Sequence, residues 1–198
     1  MLARPTPGLR SSPGAHAQGR ICVFAGSASG HDAAYAEAAA RLAQAIVAAG
    51  KGVVYGGGRV GLMGAVADAA LGEGGEVIGV IPETLERREV GHEGLTDLRV
   101  VGSMHERKAL MAELSDAFVA LPGGFGTMDE LLEVVTWTQL GIHSKPLGML
   151  DIGGYWEPLL AMVEQAIDRG FVAPANRGLL VWADDPEDLL TALERWRS

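Results

Sequence analysis

The sequence predicts one α/β domain with a doubly wound, Rossmann-like architecture and a mainly parallel sheet. Short, continuous apolar runs alternate with helical stretches over residues 20–198, which is typical of strands covered by helices on both faces. Glycine-rich segments directly follow three of these runs, where such sheets bind their ligands. The 198 residues, 48% hydrophobic and 21% charged, suit a single folded domain of this kind.

The first 19 residues are rich in proline, glycine, serine and arginine and contain no acidic residue. Because they show no apolar period, we predict a disordered tail ahead of the domain. A transit peptide stays open as an alternative, whereas the missing apolar segment argues against a secretory signal. No uninterrupted apolar run reaches 18 residues, so no membrane-spanning helix is expected.

The remaining elements follow from periodicity and from turn residues. Continuous apolar runs predict strands at 21–25, 53–55, 77–81, 98–101, 117–121, 147–150 and 179–182. Helical spacing predicts helices at 33–49, 60–72, 104–115, 127–140, 155–169 and 185–196, with a loop or short helix at 83–96. Gly50 is placed to end the first helix, and Asp184 or Asp185 to begin the last.

The formal net charge of −9 argues against binding to nucleic acid or to an anionic membrane, since both need clustered positive charge. It leaves room for a local pocket that holds one small anion. The single cysteine, Cys22, lies in an apolar run and is expected to be a buried thiol. Nothing here requires an oxidising compartment, and we predict a cytoplasmic protein.

The strongest motif follows the predicted strand 117–121 and opens a helix. Glycines there let the backbone approach a ligand, and free N–H groups at the helix start favour an anion such as phosphate. The alternative is a tight turn with Thr127 as the N-cap. Glu130 falls beside the expected ligand, whereas Glu133 is interpreted as a solvated neighbour. The motif is Pro122-Gly123-Gly124-Phe125-Gly126-Thr127-Met128-Asp129-Glu130.

A second motif runs from Ser103 to Met111. Ser103 and Glu106 form a capping box, which predicts a helix start. Arg107 then falls in line with the apolar side chains of that helix, and an inward-facing arginine needs an anion. Either a ligand or a structural salt bridge can supply that anion.

Two further glycine loops follow strands. Tyr55 to Gly64 lacks the acid that the dinucleotide fingerprint requires, so we interpret Gly57 and Gly58 as a backbone wall for a nucleotide. Gly26 and Ser27 begin a third loop after the first strand. Three such loops at adjacent strand ends favour a nucleotide site over simple turns. The histidines lack metal-ligand spacing, and we predict neither a metal nor a cofactor.

These segments together resemble the LONELY GUY family, whose members are cytokinin riboside 5′-monophosphate phosphoribohydrolases. The match covers about residues 20–197 and includes the specific pattern P-G-G-x-G-T-x-x-E. The segments that carry it are 24–27, 55–64, 104–108, 122–130 and 136–143. Some members were long labelled lysine decarboxylases, but no lysine here suggests pyridoxal phosphate and the glycine loops suit a phosphate.

The resemblance implies that Arg107 and Glu130 are the catalytic pair. Glu130 would stabilise a cationic sugar or activate water, and Arg107 would orient Glu130 and hold the anion of the ligand. It also implies that Glu89, Lys108 and the segment Gly123 through Asp129 bind substrate. Asp129 stands where glutamate is common in the family, which keeps the charge. A homodimer is implied as well. Two alternatives stay open: a general AMP hydrolase, and a non-catalytic carrier of a phosphorylated ligand.

Overall fold

The computed structural model describes residues 17–89, 91–92 and 94–196, in which strands and helices alternate along the chain. The strands are β1 Arg20–Phe24, β2 Gly52–Tyr55, β3 Val77–Pro82, β4 Asp97–Val101, β5 Ala117–Ala120, β6 Leu147–Leu150 and β7 Val181–Ala183. The helices are α1 Ala33–Ala48, α2 Gly61–Gly72, α3 Glu83–Glu89, α4 Met104–Glu113, α5 Phe125–Gln139, α6 Glu157–Asp168 and α7 Pro186–Arg195. A 3-10 helix, Pro174–Leu179, precedes β7.

The seven strands form one sheet in the order β4-β3-β2-β1-β5-β6-β7, and every neighbouring pair is parallel. The chain starts in the middle, adds strands outward on one side through β4, and then returns to the other side of β1. The prediction of a doubly wound parallel sheet is therefore confirmed. The order reverses between β1 and β5, so the loops that leave these strands diverge and open a crevice at the carboxyl edge.

Apolar side chains fill the space between the sheet and the helices on each face. On one face α1, α2 and α7 pack against the sheet through residues such as Leu42 and Val66. On the other face α4 and α5 do so through Met111 and Leu131. Cys22 lies fully buried in this second cluster, as its apolar run predicts.

Several element boundaries differ from the prediction by one or two residues, and two of these differences have a clear local cause. Helix α5 begins at Phe125 instead of residue 127, because Gly124 takes the N-cap position in an extended conformation. The last strand begins two residues later than predicted, since Pro174–Leu179 forms a 3-10 helix. The segment 83–96, expected as a loop or short helix, contains the seven-residue helix α3, in agreement with the second of these alternatives.

Residues 1–16 of the predicted tail lie outside the described residues. Just before β1, the Gln18 N–H donates to the Gly50 carbonyl at 2.9 Å, and the Gly52 N–H donates to the Gly19 carbonyl at 3.0 Å. Among the described residues, no helix has the length and apolar character that crossing a membrane would take.

Gly61 couples the start of α2 to the loop that follows β1. Its φ is +62°, and a Cβ atom there would lie 2.3 Å from the Ser27 carbonyl carbon. We expect Gly61→Ala to lower the free energy of unfolding by about 1–3 kcal/mol, because both the backbone conformation and the contact oppose a side chain. Chemical denaturation measures this loss.

Gly72 provides the matched control on the same helix. A Cβ atom at Gly72 would meet nothing within 4 Å, and its φ is not in the left-handed region. We expect Gly72→Ala to leave stability unchanged or to raise it by up to about 1 kcal/mol. Equal losses in the two variants would contradict the assigned role of Gly61.

Candidate active site

A cleft of about 240 Å³ opens at the carboxyl edge of the sheet, where the strand order reverses. Its walls come from the loops after β1, β2 and β5 and from the first turns of α2, α4 and α5. Candidate residues of the sequence that line it are Gly26, Ser27, Arg107, Gly124, Phe125, Gly126, Thr127, Asp129 and Glu130. Parallel topology therefore brings together four segments that are far apart in the sequence.

Arg107 is the buried cation of this cleft, with only 6% of its surface exposed. Its Nε donates to the Val80 carbonyl at 3.0 Å, and its Nη2 donates to the Gly56 carbonyl at 2.8 Å. A Cβ atom at position 56 would lie 2.0 Å from Nη2, so only glycine leaves room for the guanidinium. The carboxyl ends of β2 and β3 thus fix the orientation of Arg107.

No carboxylate of the described residues lies within ion-pair distance of the Arg107 guanidinium, whose third neighbour is the Met104 sulfur at 3.8 Å. The salt bridge that the sequence left open as an alternative is therefore not formed among these residues. Carbonyl oxygens satisfy hydrogen bonds but do not neutralise a buried charge. This geometry favours an anion in the cleft.

The N-terminus of α5 faces the same cleft. Gly124 is the N-cap and has no side chain to satisfy the first N–H groups of the helix. By contrast, side chains cap α1, α4 and α7. Thr127 is buried in the first turn, and a Cβ atom at Gly123 would lie 2.1 Å from its Oγ1. The free N–H groups and the helix dipole provide a site for an anion.

Glu130 lies in the next turn of α5 and lines the cleft with Arg107. Burial raises the pKa of the Glu130 carboxyl from 4.5 to about 7, although the positive charge of Arg107 acts to lower it. The two groups interact through charge and are not among the hydrogen-bonded pairs of the described residues. At neutral pH the carboxyl is therefore poised between its acid and its base form, as a general acid or base requires.

Lys108 is not among the residues that line the cleft, but it forms an ion pair with Asp129, which does line it. Its Nζ lies 3.1 Å from Asp129 Oδ2 and 3.1 Å from Glu133 Oε1. Burial acts to lower the pKa of Lys108, but the hydrogen bonds to Asp129 and Glu133 raise it above its usual value overall. Glu133 is thus a partner of Lys108, which its interpretation as a solvated neighbour did not anticipate.

Other candidates of the sequence lie beside the cleft without lining it. Gly57 packs over Ile81, and Gly58 bridges to Gly91, so Gly56 and not these two glycines forms the wall. Met128 is partly buried in α5. Glu89 is the last residue of α3, and its side chain lies outside the described residues. The described residues contain no cluster of three or more acidic, histidine or cysteine side chains suited to a metal.

Sequence reasoning missed several contributors to the site. Gly56 directly follows β2 at the carboxyl edge, and Met104 precedes Arg107 by three residues on one helix face, so the sequence could have indicated both. Nothing in the sequence around Tyr155 indicates a place in the site. Its hydroxyl donates to the Gly123 carbonyl, and its side chain lines a neighbouring cavity of about 660 Å³. That cavity meets the cleft at Gly26, Ser27 and Gly124.

Comparison with known proteins identifies one matching family profile and relatives that are about 50% identical to this chain. The profile of a family described as "Possible lysine decarboxylase" matches residues 63–193. A "probable cytokinin riboside 5′-monophosphate phosphoribohydrolase" of Oryza sativa subsp. japonica is 53% identical over 177 residues, which is 89% of this chain and 78% of the relative. A cytokinin riboside 5′-monophosphate phosphoribohydrolase of Arabidopsis thaliana is 48% identical over 175 residues, covering 88% of this chain and 82% of the relative.

Solved structures with the same fold include a molybdenum cofactor carrier protein from Chlamydomonas reinhardtii, with a TM-score of 0.67 and 21% identity over 89% of this chain and 96% of that one. A molybdenum cofactor binding protein from Rippkaea orientalis has a TM-score of 0.64 and 20% identity over 88% of this chain and 93% of that one. At this level of identity the likeness concerns the fold alone.

The raised pKa of Glu130 makes stability depend on pH. Between about pH 4.5 and 7 the folded protein keeps a proton that the unfolded chain releases, so stability falls as the pH rises through this window. Gln at position 130 cannot titrate. We therefore expect Glu130→Gln to gain about 1–3 kcal/mol relative to the wild type between pH 5 and pH 8.

Denaturation of both proteins at the two pH values measures this effect. A difference between variant and wild type that is the same at pH 5 and pH 8 would show that Glu130 has an ordinary pKa.

Proposed function

This chain belongs to the LONELY GUY family, and on that premise we propose that it hydrolyses the N-glycosidic bond of cytokinin riboside 5′-monophosphates. Water replaces the bond between the ribose and the N6-modified adenine, and the products are the free base and ribose 5-phosphate. Relatives about 50% identical to this chain, over most of its length and theirs, carry the name of this activity. The observation that carries the proposal is that the buried Arg107 lines the same cleft as Glu130, a carboxyl whose pKa is raised to about 7 by burial.

The proposed mechanism uses these two side chains in different ways. Cleavage of the glycosidic bond builds positive charge on the ribose, as in other glycoside hydrolysis. The carboxylate form of Glu130 stabilises that charge or takes a proton from the attacking water. Arg107 favours this carboxylate form through its charge and attracts the anionic substrate into the cleft. Because Gly56 and Val80 hold Arg107 in place, its charge is already oriented before substrate binds.

We propose that the 5′-phosphate binds at the start of α5. The backbone from Gly124 to Thr127 offers N–H groups that no side-chain cap satisfies. Gly26 and Ser27 also line the cleft, and a Cβ atom at Gly26 would lie 3.3 Å from the Cα of Gly123, so the loop after β1 borders the same anion site. Specificity for a monophosphate then follows from a pocket that holds one compact anion.

Lysine decarboxylation, which the description of the matching family suggests, is less consistent with the site. Of the residues described, the cleft-lining cation is an arginine held by carbonyl oxygens, and the nearby Lys108 is paired with two carboxylates. A lysine that reacts with a cofactor has to present a free amine. The hydrolase names of the relatives point the same way.

We also propose that the protein acts as a homodimer in the cytoplasm. Large apolar side chains are exposed along α5 and just beyond it, and such patches mark association surfaces. They are Phe125, Leu132, Leu140 and Ile142. We expect light scattering at micromolar concentration to give twice the mass of one chain, and a fully active monomer would contradict this proposal.

The activity itself is tested with three substrates: AMP, N6-isopentenyladenosine 5′-monophosphate and the corresponding nucleoside without phosphate. We expect release of free base from the prenylated nucleotide, and a kcat/KM for the nucleoside lower by about a hundredfold or more, because the phosphate contacts are lost. Equal kcat/KM for nucleotide and nucleoside would refute the phosphate site. A higher kcat/KM for AMP would identify a general AMP hydrolase instead.

Glu130→Gln serves as the control for chemistry in the same assay. It keeps the size of the side chain, so the protein should fold, but kcat should fall by about a hundredfold or more. If kcat stays within a few-fold of the wild type while the variant folds normally, Glu130 is a structural acid and a carrier role is favoured.

A further inference from the structure

Tyr155, in the loop between β6 and α6, reaches the loop that begins α5. Its hydroxyl donates a hydrogen bond to the carbonyl of Gly123. Gly123 lines the larger cavity of about 660 Å³, as Tyr155 does, but not the candidate active-site cleft, whereas Gly124 lines both. The peptide group that joins Gly123 to Gly124 therefore stands between the two spaces.

The orientation of this peptide group decides where one N–H group points. The bond is trans, and the carbonyl oxygen and the N–H hydrogen of a trans peptide lie on opposite sides of the chain. Because the Gly123 carbonyl faces Tyr155, the Gly124 N–H faces the other way, toward the cleft. No backbone carbonyl in the described part of the chain accepts a hydrogen bond from this N–H, so it stays available for an anion.

Glycine on both sides leaves the peptide group free to turn over. A reversal changes ψ of Gly123 and φ of Gly124 together, and it would carry φ of Gly124 from −88° to a positive value. Glycine adopts positive and negative φ about equally well, so the backbone alone does not oppose the reversal. In the reversed form the Gly123 carbonyl would point toward the cleft and repel an anion. The hydrogen bond from Tyr155 opposes this form, because the reversal would break it.

Tyr155 is itself held by contacts outside the phosphate loop. Its ring packs edge to face against Trp156, which is fully buried, with the ring centroids 5.0 Å apart. The buried carboxylate of Asp151, directly after β6, accepts a hydrogen bond from the Trp156 N–H at 2.9 Å. Tyr35 of α1 meets the Tyr155 ring edge-on, with the centroids 6.3 Å apart. The hydroxyl is therefore positioned by α1 and by the loop after β6.

We propose that Tyr155 is a positioning residue that fixes the peptide between Gly123 and Gly124 with its N–H group directed at the 5′-phosphate of the substrate. Tyr155 does not line the cleft, so it acts through the backbone of the phosphate loop and not by touching the substrate. The inference rests on the proposed function, in which the start of α5 binds the phosphate. It extends that site to the loop after β6, which lies outside every glycine-rich motif of the sequence.

Tyr155→Phe removes the hydroxyl and keeps the ring, so the fold and the aromatic packing should be preserved. We expect KM for a nucleoside 5′-monophosphate to rise about tenfold with little change in kcat, because a hydrogen bond to the phosphate is weakened before and during the reaction alike. The kcat/KM for the corresponding nucleoside should not change, since that substrate has no phosphate. An equal fall in kcat/KM for nucleotide and nucleoside would overturn the proposal and leave Tyr155 a purely structural role.

Binding of inorganic phosphate tests the same contact without turnover. We expect its Kd, measured by calorimetry, to rise about tenfold in Tyr155→Phe. In ¹⁵N NMR spectra of the wild type, added phosphate should shift the amide resonance of Gly124. An unchanged Kd in the variant, or a Gly124 amide that does not respond to phosphate in the wild type, would overturn the proposal.

Tyr35→Phe is the matched control. Tyr35 lines the same larger cavity and contacts Tyr155, but its hydroxyl takes part in none of the hydrogen bonds found among the described residues. We expect this variant to keep the phosphate Kd and both kcat/KM values of the wild type, and equal weakening in the two variants would overturn the role of the Tyr155 hydroxyl. A wild type that binds phosphate in a Tyr155-dependent way but releases no base from any nucleotide would refute the proposed function and uphold this inference.

Discussion

A buried guanidinium lies at the carboxyl edge of the sheet, and much of the site follows from what is needed to hold it there. Arg107 is 6% exposed, and an unpaired charge at such a position destabilises a protein unless other groups compensate. The carbonyl groups of Gly56, directly after β2, and of Val80, within the neighbouring strand β3, accept its hydrogen bonds. The absence of a side chain at Gly56 is thus a consequence of Arg107, since any Cβ atom would overlap the guanidinium.

Burial in the same cleft also changes the protonation of the nearby acid, Glu130. Removing Glu130 from water favours its protonated form and raises its pKa to about 7, while the charge of Arg107 limits that rise. Without the cation, the carboxyl would remain protonated further into the neutral range, and a smaller fraction of it would be in the base form at neutral pH. Without burial, it would be an ordinary carboxylate that solvent screens from the sugar. The reactivity that we propose for this pair therefore depends on both groups lining one cleft.

The sequence predicts the sheet and the position of the site well, because both depend on patterns that are local in the chain. Continuous apolar runs such as that around Val54 mark buried parallel strands, and glycines directly after them mark the ligand edge. The sequence predicts the start of α5 two residues too late. Glycine has low helix propensity, and the helix begins at Phe125 because of contacts with other parts of the fold, which the local sequence does not show. The pairing of Glu133 with Lys108 joins two helices, so no spacing within either helix reveals it.

The acidic composition of the chain and the anionic character of its proposed substrate are compatible because they act over different distances. The net charge of −9 belongs to the whole chain, and at physiological ionic strength an exposed charge is largely screened beyond about 8 Å. Inside the cleft, the guanidinium of Arg107 and the free N–H groups at the start of α5 act at contact distance and are little screened. An extended polyanion would meet the acidic surface over its whole length before any part of it reached these groups. A single phosphate group on a compact nucleotide can enter the cleft and exchange its water for them, which is why a site of this kind selects a small anion.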